Sequence, residues 1–156
     1  MKEIFMRRKD RQMPKEWAMQ IVDKCQWATL ATIDTDGMPY CIPLSIARID
    51  DAIYFHCAKE GKKTDCFKYS DNVCISCIGD TQRLDDEFAT NYESAIVRGK
   101  ISQVSDDEEK ITALRAICQR HTPLNMQNFD IEIKKYFNAT AIWKVSIQDI
   151  DGKGRK

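Results

Sequence analysis

The sequence has no excess of charge of either sign and no long apolar run. Its 24 basic residues balance its 24 acidic residues, so net charge gives no reason to expect a nucleic-acid partner. The N-terminal segment MKEIFMRRKDRQMPKEW interrupts its apolar residues with charge, unlike a signal peptide or a membrane span. We therefore expect a cytoplasmic protein that binds neither nucleic acid nor a membrane.

Glycine is scarce, and the six glycines fall in no nucleotide-binding pattern. The motif G-x-G-x-x-G and the P-loop are absent, which argues against a Rossmann-type or kinase-type site. The motifs G-x-S-x-G and H-E-x-x-H are absent too, so no hydrolase is indicated. Because no linker rich in Gly, Pro or Ser divides the 156 residues, we predict one domain over 1–156.

The cysteines and histidines of the sequence do not form a metal-ligand pattern. The seven cysteines are odd in number and lie mostly in apolar stretches, which predicts reduced, buried thiols. Cys74 and Cys77 form a C-x-x-C pair, but three positions along a strand place two side chains on opposite faces. With only two histidines in the chain, we expect no metal site.

What the chain does have is a series of strand-like segments. These segments are 27–34, 39–49, 52–57, 72–78, 94–104 and 140–150. Helices are predicted over 14–25, 64–69 and 105–120, the last capped by Ser105. Short turns such as Asp36-Gly37 favour antiparallel hairpins. A mainly β fold with a few helices (α+β) follows, with a six-stranded antiparallel sheet that curls into a small barrel to protect its edges.

The segment 54–63, YFHCAKEGKK, begins as a strand and ends in glycine and paired lysines. Strand alternation points His56 away from the more apolar face. Gly61 frees the backbone, and Lys62 and Lys63 fall where a short helix begins. Helix-start amides and a lysine both attract anions, which suggests a phosphate site. The alternative is a packed histidine followed by a solvated lysine pair.

Several ordered segments carry a family resemblance. They are MRRKDRQM, ATLATIDTDGMPYCIPLSIA, IYFHCAKEGKKTD and YESAIVRGK. Together they resemble the FMN-binding split-barrel family related to pyridoxamine 5'-phosphate oxidase, and within it the branch of nitroimidazole-resistance (Nim-type) proteins. The likeness covers 6–155, and its most specific part is F-H-x-A-x-x-G-x-K. It implies a six-stranded split barrel and a homodimer with FMN at the interface between the subunits.

The resemblance also implies roles for individual residues. The implied cofactor-binding positions are Thr32, Pro43, Leu44, Ser45, His56, Ala58, Gly61, Lys62, Lys63, Tyr92 and Ser94. Lys63 corresponds to a phosphate ligand, whereas His56 lies beside the flavin or its substrate pocket and is the implied catalytic residue. Thr32 and the segment 43–45 correspond to a wall for the isoalloxazine ring.

The activity implied by the resemblance is that of an FMN-dependent oxidoreductase acting on a small planar or aromatic substrate. Reduction of a nitroimidazole-type nitro compound is one such reaction. Two alternatives stay open: a flavin-binding protein without turnover, and the same barrel with deazaflavin or heme. A heme would need an axial ligand, for which His56 and His121 are the two candidates.

Overall fold

The computed structural model describes residues 6–156, so the first five residues of the N-terminal segment and of the predicted domain lie outside the described residues. The strands are β1 (Gln12–Met13), β2 (Ala28–Ile33), β3 (Pro39–Leu44), β4 (Ala47–Ile49), β5 (Ala52–Ala58), β6 (Asn72–Leu84), β7 (Ala89–Gln103) and β8 (Thr140–Arg155). The α-helices are α1 (Lys15–Lys24), α2 (Lys62–Tyr69), α3 (Asp107–His121) and α4 (Phe129–Tyr136). None of these helices has the length and apolar character needed to cross a bilayer.

The strands form one antiparallel sheet in the order β3-β2-β6-β7-β8-β5-β4, with β1 paired to β8. The two outer strands, β3 and β4, follow each other in the chain and are joined only by Ser45 and Ile46. In a flat sheet these strands would lie ~29 Å apart, at a spacing of ~4.8 Å per strand. Two linking residues reach only about 10 Å, so the sheet must curl until its edges approach.

The curled sheet is a split barrel and not a closed one, because β3 and β4 do not pair with each other among the described strands. The predicted mainly β, antiparallel fold is therefore confirmed. Each of the six predicted strands is present, although the second divides at Ser45 into β3 and β4. The predicted cap of α3 is wrong by one residue, because the Asp106 carboxylate, and not Ser105, accepts the Glu109 amide proton at 2.8 Å.

Apolar residues pack on both sides of β5 and β8. The inner core contains Leu30, Phe55, Ile75, Val97 and Val145, all fully buried. Trp143 belongs to this core, where its ring lies 5.0 Å from that of Phe67. A second cluster lies on the outer side of β5 and β8, beneath α3 and α4. This helical layer makes the outer face of β5 the floor of an enclosed region.

Arg120 ties the helical layer to the barrel. Its guanidinium donates to the carbonyl oxygens of Ile46, Val22 and Cys25 at 2.8, 2.9 and 2.7 Å. Ile46 belongs to the corner between β3 and β4, and Val22 lies on α1. One side chain therefore satisfies three backbone acceptors and fixes the end of α3 against that corner.

Candidate functional site

His56 lies on the outer face of β5, opposite Ile142 of β8. Its neighbours Phe55 and Cys57 point into the core, which confirms the predicted faces. The His56 side chain reaches solvent at the rim of a cavity. Desolvation by the surrounding chain, followed by the positive charge of Lys63, lowers the pKa of His56 below its usual value. The imidazole is therefore neutral at pH 7 and offers one donor and one acceptor.

The chain leaves β5 and enters α2 through Gly61. The φ of Gly61 is 143°, a conformation that residues with a Cβ rarely adopt. No side chain caps the first turn of α2, and the Thr64 hydroxyl donates to the Gly61 carbonyl oxygen at 2.8 Å instead of accepting an amide proton. The first amides of a helix have no intrahelical partner. The start of α2 therefore presents N–H groups to an anion.

The two lysines at this helix start differ in their partners. Lys62 Nζ lies 3.6 Å from Asp34 Oδ2 and 4.7 Å from the centre of the Tyr40 ring. Lys63 is half-buried, and no carboxylate within residues 6–156 pairs with it. The charge of Lys62 is thus partly neutralised, whereas that of Lys63 is available to a ligand.

Thr32 lies near the turn of the β2–β3 hairpin, where it pairs with Tyr40. Its side chain is buried, and its hydroxyl oxygen has no hydrogen-bond partner among the described residues. A buried polar group without a partner costs about 1–3 kcal/mol. Thr32 is among the residues that line a cavity of about 310 Å³, which also touches Pro39 and Arg98.

The segment Pro43, Leu44 and Ser45 leads from β3 to β4. Pro43 lies on an edge strand, where a missing N–H breaks no sheet pairing. In the β4–β5 register Ala47 is opposite Tyr54, and extending this register brings Ser45 level with His56. This extension would bring the end of the segment toward the histidine.

Tyr92 and Ser94 are not part of this group within one chain. They pair with Arg155 and Lys153 near the end of β8, and the Ser94 hydroxyl donates to the Lys153 carbonyl oxygen at 3.3 Å. His56 pairs near the beginning of the same strand. These two residues would therefore have to reach the His56 site from a second copy of the chain.

A cavity of about 300 Å³ next to His56 was not predicted. Its walls come from α3, the 3₁₀ helix Pro123–Asn128 and α4. The sequence patterns described above predict no helix after residue 120. The signal for α4 was the spacing of four between Phe129, Ile133 and Phe137, all of which line the cavity.

The fold and the site define a split-barrel protein with an anion-attracting strand-to-helix junction beside a neutral histidine. The family model described as pyridoxamine 5'-phosphate oxidase matches residues 14–154. The chain belongs to this family, which confirms the resemblance in the sequence. No curated protein sequence matches the chain significantly.

Solved structures agree with this assignment. A candidate 5-nitroimidazole antibiotic resistance protein from Bacteroides thetaiotaomicron is 24% identical, with TM-score 0.76 over 92% of this chain and 86% of that one. The flavocytochrome Anf3 from Azotobacter vinelandii is 20% identical, with TM-score 0.74 over 97% and 72%. The FAD and heme binding protein from Mycobacterium smegmatis is 20% identical, with TM-score 0.76 over 94% and 74%. At these identities the likeness establishes the shared fold.

Proposed function

We propose that this protein is an FMN-dependent oxidoreductase acting on a small planar or aromatic substrate. The observation that carries the proposal is Lys63, a half-buried cation without a carboxylate partner among residues 6–156, at the uncapped start of α2. A phosphate monoester placed there would gain amide hydrogen bonds and a full opposite charge. His56 lies on the strand leading into this helix, so a cofactor held by its phosphate could extend toward the imidazole.

Other residues suit the remainder of FMN. Thr32 lines the cavity beside the β2–β3 hairpin and can contact the ring, and extending the β4–β5 register brings Ser45 level with His56. Bound FMN supplies hydride and electron transfer, while the protein supplies binding and orientation. His56, neutral at pH 7, can take up a proton from solvent and pass it to a substrate at the edge of the cavity.

The solved structures bear on the choice of cofactor. The Azotobacter protein is described as a flavocytochrome and the Mycobacterium protein as binding FAD and heme, which supports a flavin-type ligand here. His121 Nε2 lies 2.7 Å from the Ile46 carbonyl oxygen, so this histidine is already engaged. The Bacteroides likeness makes nitroimidazoles the first substrates to test.

The first experiment is an absorption spectrum of the purified protein, followed by mass identification of the released chromophore and by titration with FMN. Release of FMN, or submicromolar binding of added FMN, supports the proposal. A heme band, released deazaflavin, or failure to bind flavin contradicts it. Bound FMN that no acceptor reoxidises would favour the non-catalytic alternative.

Replacing His56 by alanine should separate binding from turnover. The FMN-loaded protein is reduced anaerobically with dithionite and mixed with 2-methyl-5-nitroimidazole, and recovery of the oxidised flavin spectrum is followed. We expect His56→Ala to slow this step at least about tenfold, in line with the loss of a proton-transfer group, while FMN affinity changes little.

The conservative variant His56→Gln, which keeps one donor and one acceptor, should recover part of the rate. Reduction of a nitro group consumes protons, so the protonated imidazole is the active form and the wild-type rate should rise as the pH falls below about 6.5, because the lowered pKa of His56 keeps the ring neutral above that pH. The rate of the alanine variant should not show this change with pH. Equal rates in all three proteins would exclude a role for His56 in turnover.

We also propose a homodimer formed through the outer face of β2, β3, β6 and β7. This face consists of positions Thr29, Ala31, Ile33, Pro39, Cys41, Pro43, Cys74, Ser76, Ile78 and Ile96. These ten positions are uncharged, and Ile78 is 57% exposed. Arg98, opposite Cys74 on the same face, has its charge matched by Asp149 and Asp151. A sheet face with so few charged positions is typical of a protein–protein interface, and Ser94, opposite Ile78, belongs to the same face.

Replacing Ile96 by arginine should break this dimer. The two new arginines, one from each subunit, would add bulk and like charge at the interface, although Asp151 lies opposite position 96 on β8, so light scattering should show a mass near 18.1 kDa instead of twice that value. Leu124→Arg is the control, because Leu124 is 92% exposed on the 3₁₀ helix away from the sheet face. A dimeric Ile96→Arg variant, or a monomeric wild type, would disprove the interface.

A further inference from the structure

The cavity beside His56 has the size of a small-molecule site. Its volume of about 300 Å³ is at the lower end of the range for ligand pockets, ~300–1,000 Å³. Apolar side chains form most of its wall. They are Leu114, Met126, Phe129, Ile133 and Phe137. A space of this size and lining suits one or two aromatic rings.

The described residues that line this cavity include no lysine and no arginine. Glu132 is the acidic residue of the lining. Burial raises the pKa of the Cys118 thiol, which therefore stays protonated and uncharged at neutral pH. His56 is uncharged as well, for the reasons given above. The described lining of the cavity thus contains no cation that would compensate the charge of an anionic ligand.

Two cations near the cavity are engaged in its walls. Lys110 Nζ donates to the Phe137 carbonyl oxygen at 2.5 Å and lies 4.0 Å from the centre of the Phe137 ring. Arg115 lies 3.6 Å from Asp130 and 4.3 Å from the centre of the Phe129 ring. Both side chains pack on rings that line the cavity, yet neither belongs to the lining. A phosphate ester in the cavity would lose hydration without gaining a counter-charge.

We propose that this cavity is the substrate site and that it selects uncharged, mainly apolar aromatic molecules against phosphate esters of the same ring. His56 supplies a directional hydrogen bond at the rim, while the helical layer excludes water. The inference rests on the proposed function, in which Lys63 and the start of α2 hold the phosphate of the cofactor. The substrate class would then differ from the phosphorylated amine named in the family's description.

A matched ligand pair tests this selectivity by calorimetric titration of the FMN-loaded protein. The probes are 1-naphthol and 1-naphthyl phosphate, which share one ring system and differ in charge. We expect 1-naphthol to bind at least tenfold more tightly. Ile133→Glu should abolish its binding, whereas Ile131→Glu should not, because Ile131 is 68% exposed on the same helix and does not line the cavity.

A second variant avoids placing a charge among the apolar side chains of the cavity wall. Glu132 is exposed at the cavity, so Glu132→Lys should fold normally and bind 1-naphthyl phosphate more tightly than the wild type does. Equal or tighter wild-type binding of the phosphate would overturn the inference. Displacement of FMN by 1-naphthol would overturn it too, since the cavity would then belong to the cofactor.

The same titrations on FMN-free protein separate this inference from the proposed function. If the wild type refuses FMN but still selects 1-naphthol, the proposed function fails and the selectivity of the cavity stands. If it binds FMN but not 1-naphthol, the cofactor proposal stands and the cavity is not the substrate site.

Discussion

Replacing Gly99 by alanine should destabilise the protein by more than about 3 kcal/mol, at the upper end of overpacking effects. Gly99 lies on β7 where the pairing with β8 shifts register. An added Cβ would lie 2.2 Å from the Ser146 carbonyl oxygen and 2.8 Å from Val145 Cγ1. Because the nearest atom is backbone, relief requires separating two central strands of the sheet. A loss of this size is a large fraction of the ~5–15 kcal/mol stability of an ordinary domain.

Urea unfolding followed by circular dichroism measures the effect. Gly154→Ala on β8 is the matched control, because the nearest atoms to its added Cβ belong to the Trp17 side chain, at 3.2 Å. A side chain can shift by a few tenths of an ångström, so the control should lose less than about 1.5 kcal/mol. Similar unfolding midpoints for both variants would show that β7 and β8 can move apart at little cost.

The parts of the site that the sequence predicted correctly depend on local patterns. The face of His56 follows from strand alternation, and the start of α2 follows from Gly61 and the two lysines. Each needs only a few neighbouring residues. The same is true of the turn at Gly37, whose φ of 79° fits the Asp-Gly pair.

The parts that the sequence did not predict depend on contacts between distant segments. Arg120 bonds carbonyl groups about 75 to 100 positions away in the chain, and no pattern around it indicates them. Its effect on the site is direct, since it fixes the corner beside Ser45. The close approach of β8 to Gly99 likewise depends on the register between β7 and β8. The cavity also depends on α4, a short helix that the sequence did not predict.

The site places opposite electrostatic conditions on two sides of one histidine. Toward α2, Lys63 and the helix-start amides favour a phosphate. Toward α4, apolar walls and Glu132 disfavour one. Binding a cofactor phosphate at Lys63 would also lessen the effect of that lysine on His56 and let the pKa of the imidazole rise. Cofactor loading would thus adjust the proton affinity of the residue facing the substrate.

Replacing Lys63 by alanine should weaken FMN binding roughly 10- to 100-fold. A hydrogen bond to a charged group contributes about 1.5–3 kcal/mol, and Lys63 has no carboxylate partner within residues 6–156 that would offset the gain. The substitution removes a half-buried side chain at a helix start without opening the core, so the unfolding midpoint should change little. Lys68→Ala, at the exposed end of the same helix, should retain wild-type affinity.

Riboflavin, which lacks the phosphate, makes the Lys63 test specific. If Lys63 contacts the phosphate, the wild type and Lys63→Ala should bind riboflavin with the same affinity, and only FMN should discriminate between them. Added salt should weaken FMN binding to the wild type more than to the variant, because the charge interaction is screened. If riboflavin and FMN are weakened equally, Lys63 supports the fold of the site and the phosphate must bind elsewhere.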